Sequence, residues 1–345
     1  MTRKIKVLIV DDSALIRTLL TKILNASAEI EVIGTAPDPL IAREKIKKLN
    51  PDVLTLDIEM PKMDGLTFLE KLMRLRPMPV IMISSLTEKG AVSTLKAMEL
   101  GAVDFVAKPK TDLSNALTAY ASEIVEKIKM AANAHVQAYE SLQIKQQPSQ
   151  PKFTTVKKTG KIIAIGSSTG GTEAIKEIVR ALPATTPPIV VSQHLPAAFS
   201  LSFAKHVDAV TAMHACIAQD LQPIEPGNIY IAPGDKHLEV VRQGTEYLCR
   251  LNDEPAVNHH KPSVEVMFKS IANNVGPAAI GIMLTGMGAD GARAMKLMRD
   301  NGACNIVQDE SSSVVWGMAG EAYKLGAAEY VMSLDKIASQ ILALT

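Results

Sequence analysis

With 345 residues and 47% hydrophobic content, the chain is long enough for two packed cores and short for three. A net charge of +1 supplies no global field toward nucleic acid or a membrane surface, and no apolar stretch approaches the ~18 residues of a membrane span. The three cysteines (Cys216, Cys249 and Cys304) are widely spaced, offer neither a disulfide framework nor a metal spacing, and suit a reducing cytoplasm.

The charge is unevenly distributed. Residues 1–159 hold 23 Lys and Arg against 18 Asp and Glu, and residues 160–345 hold 14 against 18. An acidic second half argues against a DNA-binding output domain. Arg3, Lys4 and Lys6 precede only Val7-Leu8-Ile9-Val10 before Asp11, too short an apolar run for a signal peptide.

In chain order, Val7-Leu8-Ile9-Val10 predicts a buried strand that ends in Asp11-Asp12. Val53-Leu54-Thr55-Leu56 ends in Asp57, followed by Ile58-Glu59-Met60-Pro61-Lys62-Met63-Asp64-Gly65. Val80-Ile81-Met82-Ile83 ends in Ser84, and Phe105-Val106-Ala107 ends in Lys108-Pro109. Helical periodicity predicts helices at about 13–26, 38–49, 64–76, 88–100 and 112–135. This alternation gives an open, doubly wound parallel sheet whose strand ends converge on one edge. Three carboxylates gathered there repel one another unless a hard cation joins them. Mg²⁺ fits, since it takes few carboxylates and keeps waters for an incoming phosphoryl group. The Ser84 hydroxyl and the Lys108 ammonium would then contact phosphoryl oxygens. The plainer alternative is that each polar residue caps a neighbouring helix, which suits one Asp better than five residues at these spacings.

Over residues 4–130 this set resembles the receiver domain of two-component response regulators, a flavodoxin-like fold. The resemblance implies that Asp57 accepts a phosphoryl group from a histidine kinase. It also implies that Asp11, Asp12, Asp57 and the backbone carbonyl of Glu59 hold Mg²⁺, and that Phe105 is the switch aromatic.

Residues 131–159 predict a helix end followed by a mobile linker rich in Gln, Pro, Lys and Thr. From 160 to 345 strand and helix alternate again. Strands are expected at 162–165, 189–191, 229–231, 280–284, 305–307 and 330–332, with a hairpin over Gln243-Gly244-Thr245 and helices at about 171–182 and 291–301. The first strand ends in Gly166-Ser167-Ser168-Thr169-Gly170-Gly171, the second in Ser192-Gln193-His194, and a later one in Leu284-Thr285-Gly286-Met287-Gly288-Ala289-Asp290-Gly291. A Ser, a His and an Asp at three strand ends are the parts of nucleophilic acyl transfer. Their order differs from the Ser, acid, His order of the α/β-hydrolase fold. On pattern alone, helix caps at Ser168 and Asp290 and a hydrogen-bonded His194 explain the residues as well as a triad does. A third reading also stands: Gly286-Met287-Gly288-Ala289-Asp290-Gly291 fits the dinucleotide fingerprint, with Asp309 or Glu310 for a ribose, although Asp290 puts a carboxylate where a pyrophosphate should lie.

Four segments, 164–172, 193–196, 230–237 and 284–291, resemble the protein-glutamate methylesterases of bacterial chemotaxis, as do Pro262 and Ser263-Val264. Lys261 stands where that family commonly has Arg, and Ser167 where it often has Ala. The resemblance implies a Rossmann-like domain bearing a β-hairpin, and hydrolysis of γ-glutamyl methyl esters on cytoplasmic chemoreceptor helices to glutamate and methanol. Some members also deamidate glutamine. By that resemblance Ser168 is the nucleophile, His194 the base and Asp290 its orienting acid. The Met287 N–H is the oxyanion donor, assisted by N–H groups near Ser168 and Thr169. Mg²⁺ belongs to the receiver alone, and the esterase site needs no cofactor. The unphosphorylated receiver is expected to cover the esterase cleft. The implied partners are chemoreceptors and a histidine kinase, with no nucleic acid and no direct membrane insertion, in the cytoplasm.

Overall fold

Two compact units, Met1–Gln143 and Ile144–Thr345, make up the computed structural model, which describes residues 3–61, 63–85, 87–108, 114–136 and 160–345. Most of the expected linker lies outside the described residues, as does the expected start of the fifth helix at 112.

In the first unit the apolar runs become strands β1 (Ile5–Val10), β2 (Ile30–Ala36), β3 (Val53–Asp57), β4 (Val80–Ser84) and β5 (Asp104–Ala107). They form one parallel sheet in the order β2-β1-β3-β4-β5. Helices α1 (Ala14–Asn25), α2 (Pro39–Leu49), α3 (Gly65–Leu75), α4 (Glu88–Glu99) and α5 (Ser114–Ala131) alternate with them. Four of these helices begin where the sequence supplies a cap. The side chains of Ser13, Asp38, Asp64 and Thr87 accept from Ile16, Ile41, Thr67 and Gly90 N–H groups, each typically worth ~1 kcal/mol. Every residue of β3 and β4 is buried, as a parallel sheet covered on both faces requires. The order reverses between β1 and β3, so a crevice opens at their carboxyl ends, beside Asp11 and Asp57.

The second unit holds β6 (Ile162–Ser167), α6 (Gly171–Arg180), β7 (Ile189–Gln193), α7 (Ala197–Asp208), β8 (His214–Ile217) and β9 (Asn228–Ile231). The hairpin β10 (His237–Gln243) and β11 (Glu246–Asn252) follows, then α8 (Val264–Asn274), β12 (Ala279–Met283), α9 (Ala292–Asp300), β13 (Cys304–Gln308), α10 (Met318–Lys324), β14 (Tyr330–Met332) and α11 (Leu334–Leu344). Seven strands pair in parallel as β14-β13-β12-β6-β7-β9-β8, and the hairpin stands apart as its own ribbon. Helices α7, α8, α10 and α11 and strand β8 are additions to the expected elements. In α8 the buried residues Val264, Met267, Phe268 and Ile271 recur at i, i+3, i+4 and i+7, one apolar face at helical period.

That face sets the site. A Cβ on Gly166 would lie 2.3 Å from Val264 Cγ1, and one on Gly291 (φ 84°) 2.4 Å from the same atom. Glycine at these two places lets the N-terminus of α8 reach the ends of β6 and β12. The strand order reverses between β6 and β12, with β7 on the other side of β6. The loops carrying Asp290, Ser168 and His194 therefore leave three adjacent strands at one edge.

Candidate active site and phospho-acceptor site

In the first unit, Asp11, Asp12 and Asp57 come together, with carboxylate oxygens all within 4.8 Å of one another. Asp11 and Asp57 are buried and Asp12 is exposed. Asp57 Oδ2 accepts from Lys108 Nζ at 2.8 Å, and Oδ1 from the Glu59 N–H at 3.3 Å. Asp11 Oδ1 accepts from the Ser13 N–H at 2.8 Å. Asp11 Oδ2 is buried without a hydrogen bond, although Lys108 Nζ lies 3.5 Å away. Burial pushes the Asp57 carboxyl up to about 6 despite Lys108, and raises Asp11 as well. Burial works against the Lys108 charge, but the carboxylates of Asp57, Asp11 and Asp12 outweigh it and raise its pKa. One lysine thus leaves the three acids undercompensated. An orphaned buried oxygen facing two more carboxylates is the donor set that a small hard cation completes, so the residues fit Mg²⁺.

A small pocket beside them is lined by Asp57, Ile58, Glu59, Ser84, Ser85, Gly90 and Lys108. The Ser84 hydroxyl faces α4, accepting from Thr94 Oγ1 at 2.6 Å. Phe105 is buried, and Lys127 Nζ lies 5.1 Å from its ring centroid.

In the second unit, β6 and β7 pair through Ser167 and Gln193, so Ser168 and His194 leave neighbouring strand ends together. The two serines have different surroundings. Ser167 is fully buried and donates to Gln193 Oε1 at 2.5 Å. Ser168 is half-buried, and its hydroxyl has no hydrogen-bond partner among the described residues. The Gln193 side chain also donates to the Ser168 carbonyl at 2.9 Å, bracing the turn. Neither serine caps α6. Its N-cap is Gly170, at φ 78°, a left-handed value that glycine adopts without strain.

His194 Nε2 lies 2.9 Å from Asp290 Oδ2, and its Nδ1 is buried with no partner. An ionised carboxylate accepts, so Nε2 carries the proton and Nδ1 keeps the lone pair. The nitrogens are thereby exchanged relative to the chymotrypsin arrangement, where the acid holds Nδ1. Asp290 is 2% exposed yet well provided with donors. Its Oδ1 accepts from Asn258 Nδ2 and Ser263 Oγ, both at 2.8 Å, and its Oδ2 also accepts from the Val264 N–H at 2.7 Å. Burial raises its pKa, but the hydrogen bonds from His194, Asn258 and Ser263 prevail and carry it down to about 2. Val264 is the first residue of α8, so the carboxylate also sits at a helix N-terminus, where the dipole favours negative charge. Asp290 does not cap α9. The Ala294 N–H of that helix goes instead to Glu265 Oε2 at 3.2 Å.

Sequence reasoning named His194 and Asp290 but missed Asn258, His260, Gln193 and Glu265. The polar run Asn258-His259-His260 before an amphipathic helix is the one local signal. The oxyanion donors need one correction. The Ser168 N–H is bonded to the Thr285 carbonyl at 3.1 Å and is not available, because that bond ties the turn after β6 to the end of β12. The Met287 N–H has no partner among the described residues, on a half-buried loop. The Thr169 carbonyl accepts from Thr285 Oγ1 at 3.0 Å, which fixes the other side of the turn. The dinucleotide reading meets a loop whose Gly286 carbonyl accepts from Gly317 and Met318 N–H groups and whose carboxylate is buried. Asp309 is engaged too, accepting from the backbone and hydroxyl of Ser312.

Residues 163–341 match the CheB methylesterase family, and residues 7–119 the response regulator receiver domain. A protein-glutamate methylesterase/protein-glutamine glutaminase of Hydrogenovibrio crunogenus is 53% identical over 371 residues, covering 99% of each chain. A relative of the same description from Xanthomonas euvesicatoria is 54% identical, covering 99% of this chain and 97% of its own. The crystal structure of the Thermotoga maritima CheB methylesterase catalytic domain superposes with a TM-score of 0.53 at 34% identity, over 54% of this chain and all of that domain. With a receiver match over the first unit, a methylesterase match over the second and relatives aligned over nearly the whole length, the chain belongs to the CheB family of receiver-linked protein-glutamate methylesterases.

Proposed function

We propose that this chain hydrolyses γ-glutamyl methyl esters on chemoreceptors, releasing methanol, and deamidates receptor glutamines by the same acyl transfer with ammonia leaving. The observation that carries this reading is the His194–Asp290 pair, with Nε2 held on the carboxylate and Nδ1 left as a buried acceptor, on a strand end that neighbours the one leading to Ser168. Ser168 Oγ attacks the ester carbonyl and gives its proton to His194 Nδ1. Asp290 stabilises the imidazolium that forms. The tetrahedral oxyanion takes the Met287 N–H, a type of contact typically worth ~3 kcal/mol. Collapse breaks the C–O bond, and His194 returns the proton to methoxide. Water then attacks the acyl-serine with His194 as base, giving glutamate and free Ser168.

Phosphorylation at Asp57, from a histidine kinase, raises this activity. Asp11, Asp12, Asp57 and the Glu59 carbonyl would hold Mg²⁺, which when bound screens the acids and the incoming phosphoryl charge. Lys108 and Ser84 line the Asp57 pocket, and Ser84 is bonded to the Thr94 hydroxyl, so a phosphoryl group there competes for the hydrogen bonds of Lys108 and Ser84. Phe105, one strand-end away, is the aromatic that reports the change. The test is methanol release from methylated receptor membranes with and without a small-molecule phosphodonor. Release that depends on Ser168 and rises with phosphodonor only when Asp57 is intact supports both halves. Release untouched by Ser168→Ala overturns the catalytic half.

A further inference from the structure

A loop outside the three catalytic residues grips two of them. Residues 255–263 run from the end of the hairpin to α8 and are pinned at both ends by the fully buried His237. Its Nδ1 accepts from the Ser263 N–H at 3.1 Å, and its Nε2 donates to the Pro255 carbonyl at 3.1 Å. Between these points the chain makes a tight turn, with Val257 and His260 exchanging backbone hydrogen bonds at 3.1 and 2.9 Å. The two residues inside the turn, Asn258 (φ 52°) and His259 (φ 68°), are both in the left-handed region, a strained conformation that non-glycine residues seldom adopt. The turn delivers the Asn258 carboxamide to Asp290 Oδ1 at 2.8 Å. It also lays the His260 ring on the His194 ring, with centroids 3.7 Å apart and planes 10° from parallel.

Among the described residues the His194 ring has one hydrogen bond to fix it, at Nε2. A single bond leaves the imidazole free to tilt about the Nε2–Oδ2 axis, and such a tilt swings Nδ1 away from Ser168. A flat ring packed on its face removes that freedom without competing for Nδ1. We infer that His260 is a positioning residue, holding the His194 ring plane through the stack, and that the strained Val257–His260 turn exists to place it together with Asn258. This inference rests on the acyl-transfer reading above.

The experiment uses the full-length protein with methylated receptor membranes, and compares His260→Ala with His260→Phe. Ser168→Ala is run alongside, so that a failure of the triad reading is seen separately. The stack predicts that His260→Ala lowers kcat about tenfold or more with KM within about twofold, since misplacing a catalytic group costs rate and not binding. His260→Phe, which restores a flat ring but no titratable nitrogen, recovers most of that loss. Nitrogen-15 relaxation of the histidine rings gives a second readout: His194 keeps the Nε2–H tautomer that Asp290 sets in both variants, while its ring stays rigid in the Phe variant and becomes mobile in the Ala variant. If Phe is as poor as Ala while both proteins melt at the wild-type temperature, His260 acts through its nitrogens and the inference fails. If Ala matches wild type in kcat, it fails as well.

Discussion

The two carboxylate sites of this chain occupy the same place in two parallel sheets and are treated in opposite ways. In the first unit Asp57 is carried up to about 6 and Asp11 keeps a buried oxygen without a hydrogen bond. In the second, Asp290 is just as buried but takes four hydrogen bonds and is carried down to about 2. Burial is therefore not what separates them. The number of donors aimed at the carboxylate is. An undersaturated acid cluster attracts a cation and an electrophile, whereas a saturated carboxylate is fixed in charge and place and can orient a neighbour.

The largest test of this contrast is Ser168→Ala, which should lower methyl-ester hydrolysis by about 10⁴-fold or more while leaving Asp57 phosphorylation at its normal rate. Parallel assays of methanol release and of labelled phosphoryl transfer read both. Asp290→Asn comes next. An amide would turn a donor toward Nε2 and favour the wrong tautomer, so a loss of about 10³–10⁴ in kcat is expected, with no gain of nicotinamide binding. Saturable binding of that cofactor to this unit would break the comparison outright.

Asp290 also makes a stability prediction. Its folded pKa lies below the unfolded value of 3.8, so its contribution is present above about pH 4 and fades as pH falls toward 2. The depression corresponds to about 2 kcal/mol. Asp290→Asn should therefore flatten the fall in melting temperature over that window, and an unchanged acid limb would show that other carboxylates dominate it. Removing residues 1–140 should raise basal hydrolysis about tenfold, a change of ~1.4 kcal/mol, and abolish the response to phosphodonor. A truncated enzyme slower than the unphosphorylated whole would mean that the receiver assists catalysis. The smallest effect is reserved for Ser167→Ala, within about threefold in kcat, because its hydroxyl only braces Gln193.

Much of the first unit was legible because its helices start on side-chain caps. Ser13, Asp38, Asp64 and Thr87 place four helix starts within a residue of their observed positions. In the second unit α6 and α9 start after Gly170 and Gly291 without side-chain caps, and the Gly-rich loops alone placed both starts within a residue, whereas α8, whose cap comes from Asp290 on a distant loop, was not expected. The same reason hid Asn258 and His260. Their roles depend on His237 and Ser263 meeting across the loop, a contact with no sequence period. The strand-end residues Ser168, His194 and Asp290 were visible because apolar runs stop at them. Their common edge was expected from a parallel sheet, and the order β12-β6-β7 makes the three strands neighbours.

That strand order has a consequence for the newborn chain. β6 ends at Ser167 and lies between β7 and β12 in the finished sheet, yet β12 begins only at Ala279. A ribosome adding about 5–20 residues per second needs on the order of ten seconds to travel that interval. Throughout it β6 offers an unpaired, largely apolar edge, the kind of surface on which chains of the same sequence pair with one another. The strand that leads into Ser168 is thus open to misassembly during synthesis, and substitutions that delay the docking of β12 should appear first as lost soluble yield, before any change in the activity of the molecules that do mature.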